Sequence, residues 1–191
     1  MTGRSAIARR RPPVESAAAA GIVYSVLAVT SIVIVQSVPA IESSDAWEQW
    51  ISQASNRRWL LIALSLASVA AIAFLWFVAV VRRRLGDRED RFFATVFFGS
   101  AILHLALWLV ATALVSALAI DPGDVSTHPA PEVARYALNA STALLLVAGP
   151  RVQAVFVAST STLFWRTGVV PVWLAYLGYV LAAAMFAFRS W

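Results

Sequence analysis

The chain predicts an all-α fold, an integral membrane bundle of five transmembrane helices, and three observations carry that expectation. Hydrophobic residues make up 60% of the 191 and charged residues only 13%, with a mean hydropathy of +0.75. Soluble domains run nearer half apolar and a quarter charged, so this composition belongs to the membrane class. Apolar runs recur along the whole chain between short polar turns, and its length holds about five spans of ~20 residues. No room is left for a separate soluble domain. All 15 basic residues are arginines, and they flank the apolar runs as topology determinants do. The net charge of +5 is therefore distributed as a topology signal, and nucleic acid is excluded as a partner. Arginine without lysine points to a GC-rich bacterial genome and so to the inner membrane. The absence of cysteine excludes disulfides, thiolate metal sites and cysteine catalysis.

Residues 1–16 are polar, basic and Pro-containing, and are expected to form a disordered cytoplasmic tail ahead of a single transmembrane domain, 17–191. The first span runs over 17–38. A basic segment before an apolar one resembles a secretory signal, with Val38-Pro39-Ala40 as a cleavage site. Its 22 apolar residues exceed the ~7–15 of a signal core, which favours a retained span. Ala17, Gly21 and Ser25 form a small-residue face suited to close helix contact. The following loop is acidic at Glu42, Asp45 and Glu48, while Trp47, Trp50, Ile51 and Ala54 recur at helical spacing. This predicts a short helix at the outer headgroup level, anchored by its tryptophans, with Asp45 and Glu48 as a capping box.

The second span, 59–81, carries a small-residue face at Ala63, Ala67 and Ala71. Arg82-Arg83-Arg84, Arg88 and Arg91 then make a basic inner turn. The third span, 92–120, ends at Asp121-Pro122-Gly123-Asp124. His128 in the next loop lacks paired-ligand spacing, so no metal site is expected. Pro131-Glu132 suits the first turn of a helix. The last span is 169–188, with Trp173, Tyr176, Arg189 and Trp191 placed to anchor its ends.

Between these lies an apolar stretch, 135–167, interrupted by Gly149-Pro150-Arg151. As straight helix it would measure about 50 Å, against ~30 Å of hydrocarbon. Two solutions exist, one long kinked helix or a hairpin turning at Gly149-Pro150. Arginine placement hardly separates them, leaving ten inside and four outside for one helix, or eleven and four for a hairpin. Length decides, because hairpin arms of about 15–17 residues sit at or below the spanning minimum. A kinked fourth helix gives five spans with the N-terminus inside and the C-terminus outside.

Ala154-Val155-Phe156-Val157, Ser159-Thr160, Arg166-Thr167-Gly168, Pro171, Trp173 and Leu177-Gly178 follow one another in a fixed spacing. That pattern resembles the C-terminal signature of a family of uncharacterised multi-pass membrane proteins of high-GC bacteria, a domain of unknown function. The Trp-rich first loop and basic second loop fit the same layout. Val172 departs from it, standing where the pattern has a basic residue, and many relatives continue beyond a fifth span. The resemblance implies the membrane fold and carries no activity.

No span contains Asp or Glu, which removes the carboxylates of proton relays and most cation transporters. Arg151 is thus an intramembrane cation without an acidic partner, and Pro150, lacking an N–H, would leave the Leu146 carbonyl unpaired. On an ideal helix Arg151, Val155, Ser159, Thr162 and Arg166 fall within about 80° of one another, while Gln153 points elsewhere. Ser100, His104, Trp108 and Thr112 repeat every fourth residue on the third span, a face that could meet this stripe. The candidate ligand-binding residues are therefore Arg151, His104, Ser159 and Thr162, lining a cavity for an anion or an anionic lipid headgroup. Against this stands snorkelling of Arg151, with the hydroxyls bonded to carbonyls of their own helix. No Ser/His/Asp set, HExxH or phosphate-binding loop is present, so no enzyme, cofactor or catalytic residue is expected. The expected function is a structural or partner-binding bundle, its partners the bilayer, a homo-oligomer or another membrane protein. A small transporter or lipid- or anion-binding protein using Arg151 is the alternative.

The arginine pattern fixes an orientation that reporter fusions read. A reporter active only outside the inner membrane should be on when fused after Trp191 and off within the Arg82–Arg91 turn. An inactive C-terminal fusion would mean six crossings and a hairpin at Gly149-Pro150.

Overall fold

The computed structural model describes residues 14–41, 43–85, 91–120, 129–168 and 170–187. Every element among them is helical. These are α1 (Val14–Gln36), α2 (Ser44–Ser52), α3 (Ala54–Leu85), α4 (Arg91–Ser116, extended by a 3-10 turn over Ala117–Ala119), α5 (Pro131–Thr142), a π-helical segment (Ala143–Ala148), α6 (Gly149–Thr167) and α7 (Val172–Ala187). Four segments are long and apolar enough to cross a membrane: Ala18–Gln36, Ala54–Arg83, Phe92–Ala119 and Pro131–Thr167. Helix α7 is equally apolar but has 16 residues, about 24 Å of helix. Large apolar side chains cover the outside, Trp76 being 70% exposed, a surface compatible with lipid contact. The basic tail, the Arg88 turn, the 121–128 loop with His128, and Arg189 and Trp191 lie outside the described residues.

The long helices form a row in which each packs antiparallel on the next: α1 on α3, α3 on α4, α4 on α5 and α6, and α6 on α7. Cross-links in register define the row. Ser31 Oγ donates to the Ala63 carbonyl (2.9 Å) near one end of the α1–α3 pair, and Tyr24 meets Phe74 (4.7 Å between rings) farther along. Ser116 Oγ donates to the Leu60 carbonyl (2.9 Å), while Arg82 lies over the Phe98 ring at the opposite end of α3–α4. Phe97 stacks on Phe156 (5.1 Å, 24°), and Arg166 lies over Phe93 (4.7 Å) between α4 and α6.

Helix α3 holds the row because, between Ala63 and Ala71, its inward face is nearly free of side-chain bulk. Ala63, Ala67, Ala70 and Ala71 are buried, so neighbouring backbones come close enough for serine hydroxyls to reach its carbonyls. The expected alanine face is thus the one used. The expected α1 face is not: Ala28, Ser31 and Val35 are the buried positions, with Tyr24 beside them. Ser25 is exposed and folds its hydroxyl onto the Gly21 carbonyl (2.8 Å). Gly21 does face α3, but opposite the Phe77 ring, because antiparallel register carries it away from the alanines. A helix apolar on every side gives periodicity nothing to select a face with.

Helix α2 departs from an interfacial anchor. Trp47 and Ile51 are buried against Leu118, Ala134 and Ala137, and the Trp47 indole donates to the Pro129 carbonyl (2.9 Å). Trp50 stacks on Trp47 (5.8 Å, 21°). The helix is therefore a plug over one end of α3, α4 and α5. Its N-cap is Ser43 and not Asp45: Ser43 is extended and accepts the Ala46 N–H (3.2 Å), placing Asp45 in the first turn beside the positive helix end. Its C-terminal carbonyls are closed by the next helix, since Arg57 Nη1 donates to Ile51 (2.8 Å) and Ser52 (2.9 Å), and Asn56 to Trp50 (2.8 Å). That is why α3 begins at Ala54, five residues before the expected span boundary.

Residues Pro131–Thr167 run as one helical segment with no hairpin. The break expected at Gly149-Pro150 is a π-helical stretch just before it, where the Gly149 N–H reaches the Leu144 carbonyl. The widened turn accommodates a residue that cannot donate. Leu146 is not left without a partner. A Cβ on residue 149 would stand 3.0 Å from the Leu144 oxygen, so glycine belongs to this geometry.

Gly178 sets the α6–α7 contact: a Cβ there would lie 2.0 Å from Ser161 Oγ and 3.2 Å from Ser161 Cβ. Ser161 is held by its own bond to the Val157 carbonyl (2.8 Å) and has little room to yield. Gly178→Ala should destabilise the protein by about 1–3 kcal/mol. Adding Ser161→Ala removes the closest clash and should recover more than half of the loss in a detergent melting experiment. A single variant that melts like the parent would mean the two helices are not in close contact.

Candidate functional site

The four residues expected to share a cavity each have a separate environment. Arg151 is exposed, and its Nη1 donates to the Val147 carbonyl one turn back. Ser159 is buried and bonds to the Phe156 carbonyl (3.0 Å). Thr162 bonds to the Ala158 carbonyl (2.9 Å) and meets the Tyr179 hydroxyl (2.6 Å), which ties α6 to α7. The serine and threonine hydroxyls thus satisfy themselves on the backbone, as short polar side chains in apolar helices do. His104 turns to α1, where its Nε2 is 2.8 Å from the Tyr24 hydroxyl. Arg151 and His104 are not brought together, because Arg151 stands on the exposed face of α6 while its neighbours Gly149 and Gln153 border the cavity at His104.

Depth sharpens the position of Arg151. Its neighbours Gly149 and Gln153 border the same cavity as His104, so Arg151 lies level with that residue. His104 stands twelve residues from Phe92, about 18 Å of helix, and farther from Ala119. The guanidinium reaches back to Val147, so it lies about 5 Å nearer the α5 end than its own Cα. Val147 on the π-helical segment and Arg151 and Val155 on α6, at successive fours, are all exposed. Among the described residues the one carboxylate in the candidate spans is Glu132, in the first turn of α5 and about 28 Å of helix from Arg151.

The cavity at His104 measures about 250 Å³ and lies between α1, α4 and the π-helical segment. Tyr24, Trp108 and Gln153 border it with His104. Rings enclose the polar groups: Trp108 stands edge-on to Tyr24 (6.1 Å, 89°), and Phe74 packs against both Tyr24 (4.7 Å) and His104 (5.6 Å). Two buried nitrogens here, His104 Nδ1 and Trp108 Nε1, have no hydrogen-bond partner. Buried indole N–H groups ordinarily find one, and in lipid an orphan is costlier still. Of the α4 stripe, Ser100 and Thr112 close on their own helix, to Val96 (2.7 Å) and Trp108 (3.0 Å) carbonyls.

A second cavity, about 410 Å³, lies near the α2 end of the row, between the end of α1, residues 38–41, α4 and α5. Gln36, Arg135, Asn139, Ser141 and Thr142 give it a polar lining. Ser141 is 2% exposed and its hydroxyl is without a partner, while Arg135 reaches the Ile41 carbonyl (3.4 Å). Neither cavity includes Arg151.

Sequence reading missed Tyr24, Gln153 and Ser141. Tyr24 and Gln153 had a usable signal, being hydrogen-bonding side chains well inside apolar runs. Ser141 had none, since serine is common on close-packed membrane helices. Among the described residues no group of three or more His, Cys, Asp or Glu is placed to hold a metal. Comparison with protein families, with characterised proteins and with solved structures finds no match for this chain.

Proposed function

We propose that the chain is a five-span protein of the bacterial inner membrane, N-terminus inside and C-terminus outside, that binds a partner within the bilayer and is not an enzyme. Arg151 carries this reading. A guanidinium exposed near mid-depth, with only a carbonyl of its own helix as acceptor, is costly against lipid tails. A second copy brings only Glu132 within its candidate spans, at the start of Pro131–Thr167 and far along the helix from Arg151, and a two-fold contact on this face would set arginine against arginine. A phospholipid headgroup stays about 15 Å from the midplane. The partner that fits is a different transmembrane helix bearing an Asp or Glu, docked on Val147, Arg151 and Val155. The resemblance of residues 153–179 to the high-GC bacterial family agrees with the location. A small transporter or lipid- or anion-binding protein is the second reading. It is favoured by Arg135 and the unpaired Ser141 hydroxyl in the 410 Å³ cavity, not by Arg151.

A photo-crosslinking residue at Val155, in membranes of the native host, should trap one protein bearing an intramembrane carboxylate. Arg151→Gln should lower that cross-link by more than about tenfold, since truncating one member of a buried charge pair costs several kcal/mol. Arg151→Lys should retain part of it, a point charge replacing the planar fork imperfectly. Cross-links to lipid or to a second copy, unchanged in Arg151→Gln, would defeat the partner reading.

A further inference from the structure

The orphaned nitrogens beside Tyr24 define a ligand chemistry independent of the partner reading at Arg151. Trp108 is 3% exposed and its Nε1 can only donate. The proton on His104 follows from Tyr24. The Tyr24 hydroxyl has no bond other than the one to Nε2, so its hydrogen is satisfied only by donating there. That puts the ring proton on Nδ1, the nitrogen without a partner. Two residues that border one cavity therefore each carry a buried N–H without an acceptor. No charged side chain lines it, and most of the remaining wall is apolar: Ala28, Val29, Ile32, Leu107, Leu144 and Leu145. Ser25 and Val29 are exposed on α1, so the opening is sideways, between α1 and the π-helical segment, towards lipid. That segment forms the opposite wall, and π-helical turns are frequent at functional sites.

We propose that this cavity binds a neutral, lipid-soluble molecule through a carbonyl oxygen that accepts from Trp108 and His104, with Gln153 at hand for a second polar group. About 250 Å³ suits a small ring or an ester linkage, not a whole lipid. An anion finds no countercharge here, and a hydrocarbon leaves both donors unmet. Quinone-type ketones and carboxylic esters share the required oxygen.

The full chain in detergent is titrated with 2-methyl-1,4-naphthoquinone, with dihexanoylglycerol, and with 2-methylnaphthalene, which keeps the ring and lacks the carbonyls. The protein has no cysteine for the quinone to alkylate. At least one carbonyl probe should bind and raise the melting temperature, and which one does separates ketone from ester. The naphthalene should bind at least about tenfold more weakly than a bound quinone. Trp108→Phe keeps an aromatic ring and removes the donor, so it should weaken the bound probe by about tenfold, one hydrogen bond's worth. Its unliganded melting checks the fold, and His104→Phe is read in its place if it fails to fold. The proposal is overturned if neither carbonyl probe binds, as would hold for a cavity filled by water alone. It is equally overturned if naphthalene matches the quinone, or if the variant read binds like the parent.

Discussion

Everything in this bundle depends on how closely other helices approach α3. From Ala63 to Ala71 its inward face is methyl groups, and against such a face backbones come near enough for side chains on one helix to bond carbonyls on another. Ser31 and Ser116 do so from opposite sides, at Ala63 and Leu60, neighbouring turns of the same helix. Without an apolar solvent contrast to drive helices together in lipid, such packing and hydrogen bonding are the forces available. Bulk is concentrated lower down, where Phe74, Phe97 and Phe156 fill the wider space between α3, α4 and α6. The row thus narrows at the alanines and opens at the aromatics. The His104 cavity lies beside that opening.

The same need for internal satisfaction explains why so few polar groups stand out. Thr30, Ser65, Ser68 and Thr112 all turn back to a carbonyl of their own helix, and face lipid or protein indifferently. Hydroxyls can do this because they are short and rotate freely. An indole, an imidazole and a guanidinium are less easily satisfied that way. Trp108 and His104 keep a nitrogen apiece unmet, and Arg151 reaches one carbonyl with a group that has five donors. Function is sought at these three residues because local chemistry does not absorb them.

Local composition made some of this legible in the sequence. The alanines of α3 read correctly because their spacing and their size both point inward, and length favours one kinked helix over a hairpin within 135–167. The faces of α1 did not read, because its apolar residues surround it completely. Trp47 reads as a headgroup anchor since nothing near it signals that Ala134 and Ala137, nearly ninety residues on, pack against it. The Tyr24–His104 contact spans 80 positions and leaves no local trace in either helix. Arg151 is visible as an anomaly, but its separation from His104 depends on which face α6 turns to α1 and α4, which pattern cannot weigh.

The π-helical stretch before Pro150 sets a phase between two halves of one helix. Each backbone bond there spans an extra residue, so the stretch stores one position more than an α-helix of equal rise. Removing one residue from 143–148 would re-form a regular α-helix and leave α5 turned nearly as it is relative to α6, because the wide turn holds the extra residue without adding rotation. Ala134 and Ala137 would stay against α2 and Phe156 on Phe97. Tightening the stretch to α-helix at unchanged length would instead swing α5 by about 100°, the turn of one residue. The two ends of this long helix are coupled by twist more than by distance.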